Sequence, residues 1–243
     1  MICVHNEGTA ALQTKADTIV IDHAGTAELL SLTTPLAIKG LACNARNVVV
    51  WSTNESHVYE IFESYVELVS QVKLPCSIFS LSLFKDNLYI ACGAKLIVMS
   101  LAGIQRASTD FADGEGSRIL TSIVNMSNTL VVITDKGNLH MFDVSNSESM
   151  TPLHPPTNLC EITESSDLIG EIRSVECNAT SSLVSLVSKH YGITKLWVFN
   201  VSRNELKLIC SDESGDRIFH FWDPADPRLL ACDCYCGAKS EVD

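Results

Sequence analysis

The chain has 243 residues, 46% apolar and 19% charged, with a formal net charge of −12. That length and apolar share fit a globular protein of one large domain or two small ones and exclude a disordered chain. The acidic balance argues against nucleic acid as a partner, because phosphate binding needs clustered Lys and Arg, and against electrostatic attachment to anionic lipid.

Short apolar strands separated by turns run along the whole chain. Residues 17–32 give Thr18-Ile19-Val20-Ile21, a polar turn at 22–25, then a second run at 27–32. Next come residues 37–43, the turn Asn44-Ala45-Arg46-Asn47, and Val48-Val49-Val50-Trp51. After a turn at 52–56 follow strands at 57–62 and 65–72. The unbroken run at 48–51 suits a central strand packed on both faces, and the alternation at 58–62 suits one nearer an edge. Residues 62–72 could be drawn as a helix, but Val66, Val69 and Val72 favour a strand.

The pattern recurs at 77–101, 119–144 and 172–201, each with three strands and two turns, and 205–210 closes the last group. The third strands align on Val58, Ile97, Leu139 and Leu196, which lie 39, 42 and 57 residues apart. The last interval is long because 145–167 is a polar insertion holding Pro152, Pro155 and Pro156, expected to be a disordered loop. Without it the period fits the ~40–45 residues of a four-stranded propeller blade. Phe142-Asp143 and Phe199-Asn200 sit where a Trp-Asp dipeptide often sits in such blades.

The fold expected is therefore all-β, a WD40-like β-propeller of about five to six blades, four of them clearly visible. A two-sheet sandwich also has many short strands, and the repeat period sets it aside. Residues 1–243 form a single propeller domain or a fragment of one, with a ragged end at 236–243. An incomplete ring leaves strand edges open, which favours a piece of a larger protein. No apolar run approaches the roughly 20 residues that span a bilayer, and the start Met1-Ile2-Cys3-Val4-His5-Asn6-Glu7 lacks the pattern of a signal peptide. Ten cysteines without an export signal then imply reduced thiols in the cytosol, and the triplets at Asn54, Asn125, Asn178 and Asn200 read as chance rather than glycosylation sites.

Candidate chemistry is sparse. Cys232, Cys234 and Cys236 alternate onto one strand face, but zinc needs a second ligand pair that the chain does not offer, so they read as buried or frayed-end thiols. Gly114-Glu115-Gly116-Ser117 lacks the Lys and the strand-to-helix context of a phosphate loop and reads as a connection between blades. Asp143 and Asp223 read as turn acids, His220 as a packed residue, and Trp51, Trp197 and Trp222 as core. No residue is assigned a catalytic, cofactor-binding or metal-binding role, and no cofactor is expected.

The most distinctive string is His220-Phe221-Trp222-Asp223 with Pro227-Arg228-Leu229: an aromatic strand end, a turn and a second strand. In order along the chain it follows Leu88-Tyr89-Ile90 with Leu101-Ala102-Gly103, then Leu139-His140-Met141-Phe142-Asp143-Val144-Ser145. Gly170-Glu171-Ile172-Arg173-Ser174-Val175-Glu176-Cys177 stands between these and the string. Together the four pieces, spread over roughly residues 85–235, resemble the second propeller of the intraflagellar transport protein 140 family, a subunit of transport complex A. Members of that family are long chains with two propellers followed by helical repeats. The resemblance implies a non-catalytic interaction scaffold for retrograde ciliary transport and cargo entry. It implies as partners the other complex A subunits and ciliary membrane-protein cargo, with no nucleic acid and no membrane insertion. It places the protein in the cytoplasm, the cilium or flagellum and its basal body. The alternatives are a propeller hydrolase with its site in the central channel, and a generic cytosolic adaptor.

Overall fold

A run such as Val48-Val49-Val50-Trp51 has no polar face to offer water, so its sheet must be covered on both sides. The computed structural model supplies that cover by stacking small sheets around an axis. It describes all residues other than 6–7, 25, 75, 112–117, 125–126, 147–148, 163–169, 214–217, 224–225 and 234–243.

The first sheet consists of β1 (Ile2–His5), β2 (Thr9–Gln13), β3 (Thr18–His23) and β4 (Leu30–Thr33). The second holds β5 (Gly40–Cys43), β6 (Asn47–Trp51), β7 (Glu55–Ile61) and β8 (Val66–Lys73), and the third β9 (Ile78–Phe84), β10 (Asn87–Cys92), β11 (Lys95–Ser100) and β12 (Gln105–Asp110). The fourth contains β13 (Ile119–Val124), β14 (Thr129–Thr134) and β15 (Asn138–Asp143), with an outer strand in two pieces, β16 (Thr151–Pro152) and β17 (Thr157–Asn158). The one-turn helix α1 (Leu159–Ile162) follows. The fifth has β18 (Glu171–Cys177), β19 (Leu183–His190), β20 (Ile193–Asn200) and β21 (Glu205–Asp212). A last, two-stranded sheet pairs β22 (Phe219–Trp222) with β23 (Leu230–Asp233).

Every pairing is antiparallel between chain neighbours, apart from the split outer strand, so each sheet is a meander. The first strands lie side by side in sequence, β1 by β5, then β9, β13, β18 and β22. Among the described residues the result is a propeller of five complete blades and a half-blade, with the first strand of each sheet innermost. Among the described residues no helix is long and apolar enough to cross a membrane.

Burial explains the continuous runs. Along β10, Leu88, Ile90 and Cys92 face the second blade while Tyr89 and Ala91 face the fourth. Along β14, Leu130 and Val132 face the third blade while Val131 and Ile133 face the fifth. Alternate side chains thus enter different inter-blade cores, and neither face is polar.

Val58, Ile97, Leu139 and Leu196 all fall on third strands, opposite Val49, Ile90, Ile133 and Val187. Their phases differ. Val58, Leu139 and Leu196 face the blade that follows, whereas Ile97 faces the one before. Leu96 and Val98 hold the forward positions on β11, so the sequence alignment is displaced there by an odd number of residues.

Two expectations are corrected. The insertion at 145–167 does not run as a free loop where it is described: β16 and β17 both pair with β15 and supply that blade's outer edge. Leu159, fully buried between the fourth and fifth blades, anchors it, and Pro152 fits because an edge strand has no second neighbour awaiting its missing N–H. Nor are all the thiols reduced. Cys76, in the connection before β9, is bonded to Cys92 at the end of β10, their Cα atoms 5.9 Å apart, a separation that suits a bridge. Cys3, Cys43 and Cys177 are free thiols.

Candidate functional site

Because all six innermost strands surround one axis, they enclose a channel of about 660 Å³, open to solvent and lined by residues of β1, β5, β9, β13, β18 and β22. Neighbouring inner strands are not in one sheet, so side chains rather than backbone ladders tie them together. Ser80 and Ser82 of β9 hydrogen-bond with Thr121 of β13 at 2.9 and 3.1 Å, and the Thr121 N–H donates to Ser80 Oγ at 2.8 Å. Ser122 donates to Glu176 Oε2 of β18 at 3.1 Å. Arg118, just before β13, donates to the Ile172 carbonyl at 2.9 Å and to Glu171 at 3.0 Å.

The last junction uses His220 of β22. Its Nε2 lies 2.8 Å from Ser174 Oγ and its Nδ1 2.8 Å from Ser185 Oγ, so β22 is pinned to β18 and β19. Burial drives the His220 pKa down to about 4, leaving a neutral ring with both nitrogens engaged. At the first junction Cys43 hydrogen-bonds with Cys3, and that contact, followed by burial, holds the Cys3 thiol well above its usual range. Burial likewise pushes the Cys177 thiol up to about 12, so neither thiol carries the thiolate character of a nucleophile.

Glu176 is the most unusual group of the channel. Desolvation by the neighbouring protein atoms raises its pKa to about 7, against the lowering effect of the Ser122 hydrogen bond. Its side chain nonetheless reaches the channel's water, which moderates that rise. Arg173 also lines the channel, but its guanidinium lies 2.6 Å from Glu171. Three apolar side chains remain exposed against the same space: Val4 (62%), Phe79 (46%) and Phe221 (44%).

The residues singled out from sequence distribute unevenly. His220 is packed as expected. Asp143 accepts from the Ser145 N–H at 2.8 Å and Asp223 from the Asp226 N–H at 2.9 Å, so both hold turns, and Asp223 also borders the channel. Trp51 and Trp197 are buried, the latter donating to Ser188 Oγ at 2.9 Å. Trp222 is half-buried and lines the channel, its indole N–H enclosed without a partner among the described residues. Cys232 is exposed on β23, while Cys234, Cys236 and the glycine string 114–117 lie outside the described residues. Asn178 is buried with its side-chain amide bonded to Ser182 and the Pro227 carbonyl, so it offers no acceptor for a glycan.

Among the described residues no three His, Cys, Asp or Glu side chains gather so as to hold a metal ion. The hydroxyl row and Glu176 escaped sequence reasoning. The available signal was Ser or Thr interrupting the first strand of successive groups: Ser80 and Ser82, Thr121 and Ser122, then Ser174.

Among solved structures, the β-propeller domain of Cps50 (Swd1) from Myceliophteria thermophila is similar, with a TM-score of 0.62 over 93% of this chain and 75% of that one. At 13% identity the likeness is one of fold. The blade pattern of the sequence is more specific. From residue 7 to residue 210 it matches the family model of the IFT140 second beta-propeller, and the chain belongs to that family.

Proposed function

We propose that this protein is a non-catalytic scaffold within a ciliary transport complex of the complex A type, acting in retrograde transport and in the entry of membrane-protein cargo. The observation that carries the reading is the family match across residues 7–210, which runs from β2 of the first blade into β21 of the fifth. The architecture supports it: rigid sheets hold turns at fixed positions, and several turns together form one binding face. Its partners would be the other subunits of that complex, and its place the cytoplasm, the basal body and the cilium.

The channel favours binding over catalysis. Glu176 and Asp223 both border it, but Asp223 caps a turn, and His220 has both ring nitrogens bonded to serines. Among the described residues no acid orients that ring towards a nucleophile, as a hydrolase triad requires.

The test is to tag the endogenous locus in a ciliated cell, precipitate the product and identify its companions by mass spectrometry. Recovery of the other complex A subunits is expected. A product that precipitates without them, in cells whose cilia are unaffected by deletion of the locus, would overturn the reading.

A further inference from the structure

Glu176 poses a question that the scaffold reading leaves open. Its side chain is exposed to the channel, and among the described residues the partner of its carboxylate is a neutral hydroxyl, Ser122, with no ion pair to answer its charge. The basic residue that lines the channel, Arg173, is paired with Glu171 at the strand-start end of β18. The space beside Glu176 is roomy and open to solvent, and its hydroxyls keep acceptor lone pairs beyond the bonds they already make. Such a place suits a cation brought from outside.

We propose that the channel receives a basic side chain, arginine by preference, from an extended segment of a protein partner, its guanidinium meeting Glu176 and its flanking residues resting on Val4, Phe79 and Phe221.

Charge complementarity argues for the occupant at two ranges. Locally, the free Glu176 oxygen and the hydroxyls of Ser80, Ser82 and Thr121 are acceptors, and a guanidinium offers five donors in a rigid fork. At longer range, a net charge of −12 draws basic segments and repels acidic ones. The exposed aromatic side chains at the channel supply the apolar contact that an inserted side chain needs around it, since aromatic residues dominate binding energies in interfaces. The proposal deepens the scaffold reading and rests on it only in taking the occupant to be a protein.

The probe is the N-acetylated, C-amidated pentapeptide Ser-Gly-Arg-Gly-Ser, compared with the same peptide bearing citrulline, the neutral isostere of arginine. Binding is followed through the indole N–H signal of Trp222, assigned among the three tryptophans by Trp222→Phe. The arginine peptide is expected to shift that signal saturably, the citrulline peptide to leave it in place, and Glu176→Gln to weaken binding about tenfold. Glutamine still accepts the Ser122 hydrogen bond, so the variant should fold, and the citrulline comparison needs no variant at all. Equal shifts from both peptides, or no saturable shift from the arginine peptide, would overturn the proposal. Complex A subunits recovered by the protein despite failed peptide binding would sink the channel site alone and leave the scaffold reading standing.

Discussion

At Gly40 the fold depends on a missing side chain. A Cβ built there would lie 1.8 Å from the Trp51 ring, which covers that glycine across the β5–β6 ladder. Gly40→Ala should therefore force Trp51 out of its place beside the channel and destabilise the protein by roughly 1–3 kcal/mol, the range for overpacking a core. Urea denaturation followed by tryptophan fluorescence would measure it. His220 makes a second prediction, in pH. Its folded pKa, about 4, lies below the ordinary 6.5, so the folded protein binds fewer protons than the unfolded chain between those values. Stability is then full above pH 6.5 and falls as pH drops towards 4. Glu176 works in the opposite sense, because its raised pKa favours the protonated folded state and stability declines from about pH 4.5 to 7. In a Glu176→Gln background the acid-side loss should stand alone, on the order of 3 kcal/mol, and His220→Gln should abolish it. Equal acid sensitivity with and without His220 would show that the ring is protonated in the folded state.

Among the elements, the outer strands show how this protein manages its edges. β8 exposes Leu68 and Val69, and β21 exposes Leu208 and Ile209, which are apolar edges of the kind that recruit other strands. Both ladders carry a register shift, between Val58 and Tyr59 and between Leu196 and Trp197, and the polar β12 has another between Val98 and Met99. Such bulges sharpen the local twist and turn the edge away from flat pairing. The fourth blade takes a different route, an outer strand in two pieces held by Leu159. Leu159→Ala should cost about 2–5 kcal/mol and expose residues 145–162 to protease before the rest of the chain is cut; an unchanged digestion pattern would mean that β15 alone holds the segment. These features mark where the sequence was legible. Strands covered on both faces announce themselves, as at 48–51 and 88–92. The segment Ile2-Cys3-Val4-His5 was passed over, because a four-residue strand gains its identity from the pairing with β2 and not from its own composition. The insertion misled because proline is read locally as a breaker, although an edge position tolerates it.

For the molecule as a whole, the repeat period revealed the ring but not the channel. Ser80, Thr121 and Glu176 stand about as far apart in sequence as successive blades, and each looks like an ordinary polar residue of an alternating strand. What brings them together is the stacking of one blade's inner strand against the next, β9 by β13 and β13 by β18, which no local pattern encodes. The way the blades share their cores has a further consequence. Each inter-blade core is built from two sheets, and every described sheet between the ends contributes to the core on either side of it. Mechanically the protein is then a bent chain of links, each gripping only the next, whose stability is a sum over junctions. The grip is unequal: among the described residues the last junction, around Val187, Leu196 and Ile218, is the smallest of the five. Hydrogen exchange under native conditions should therefore run as a gradient, with β22 and β23 opening first, β10 and β14 last, and the loss travelling inward one junction at a time. Uniform protection across all blades would instead mean that the links melt as one.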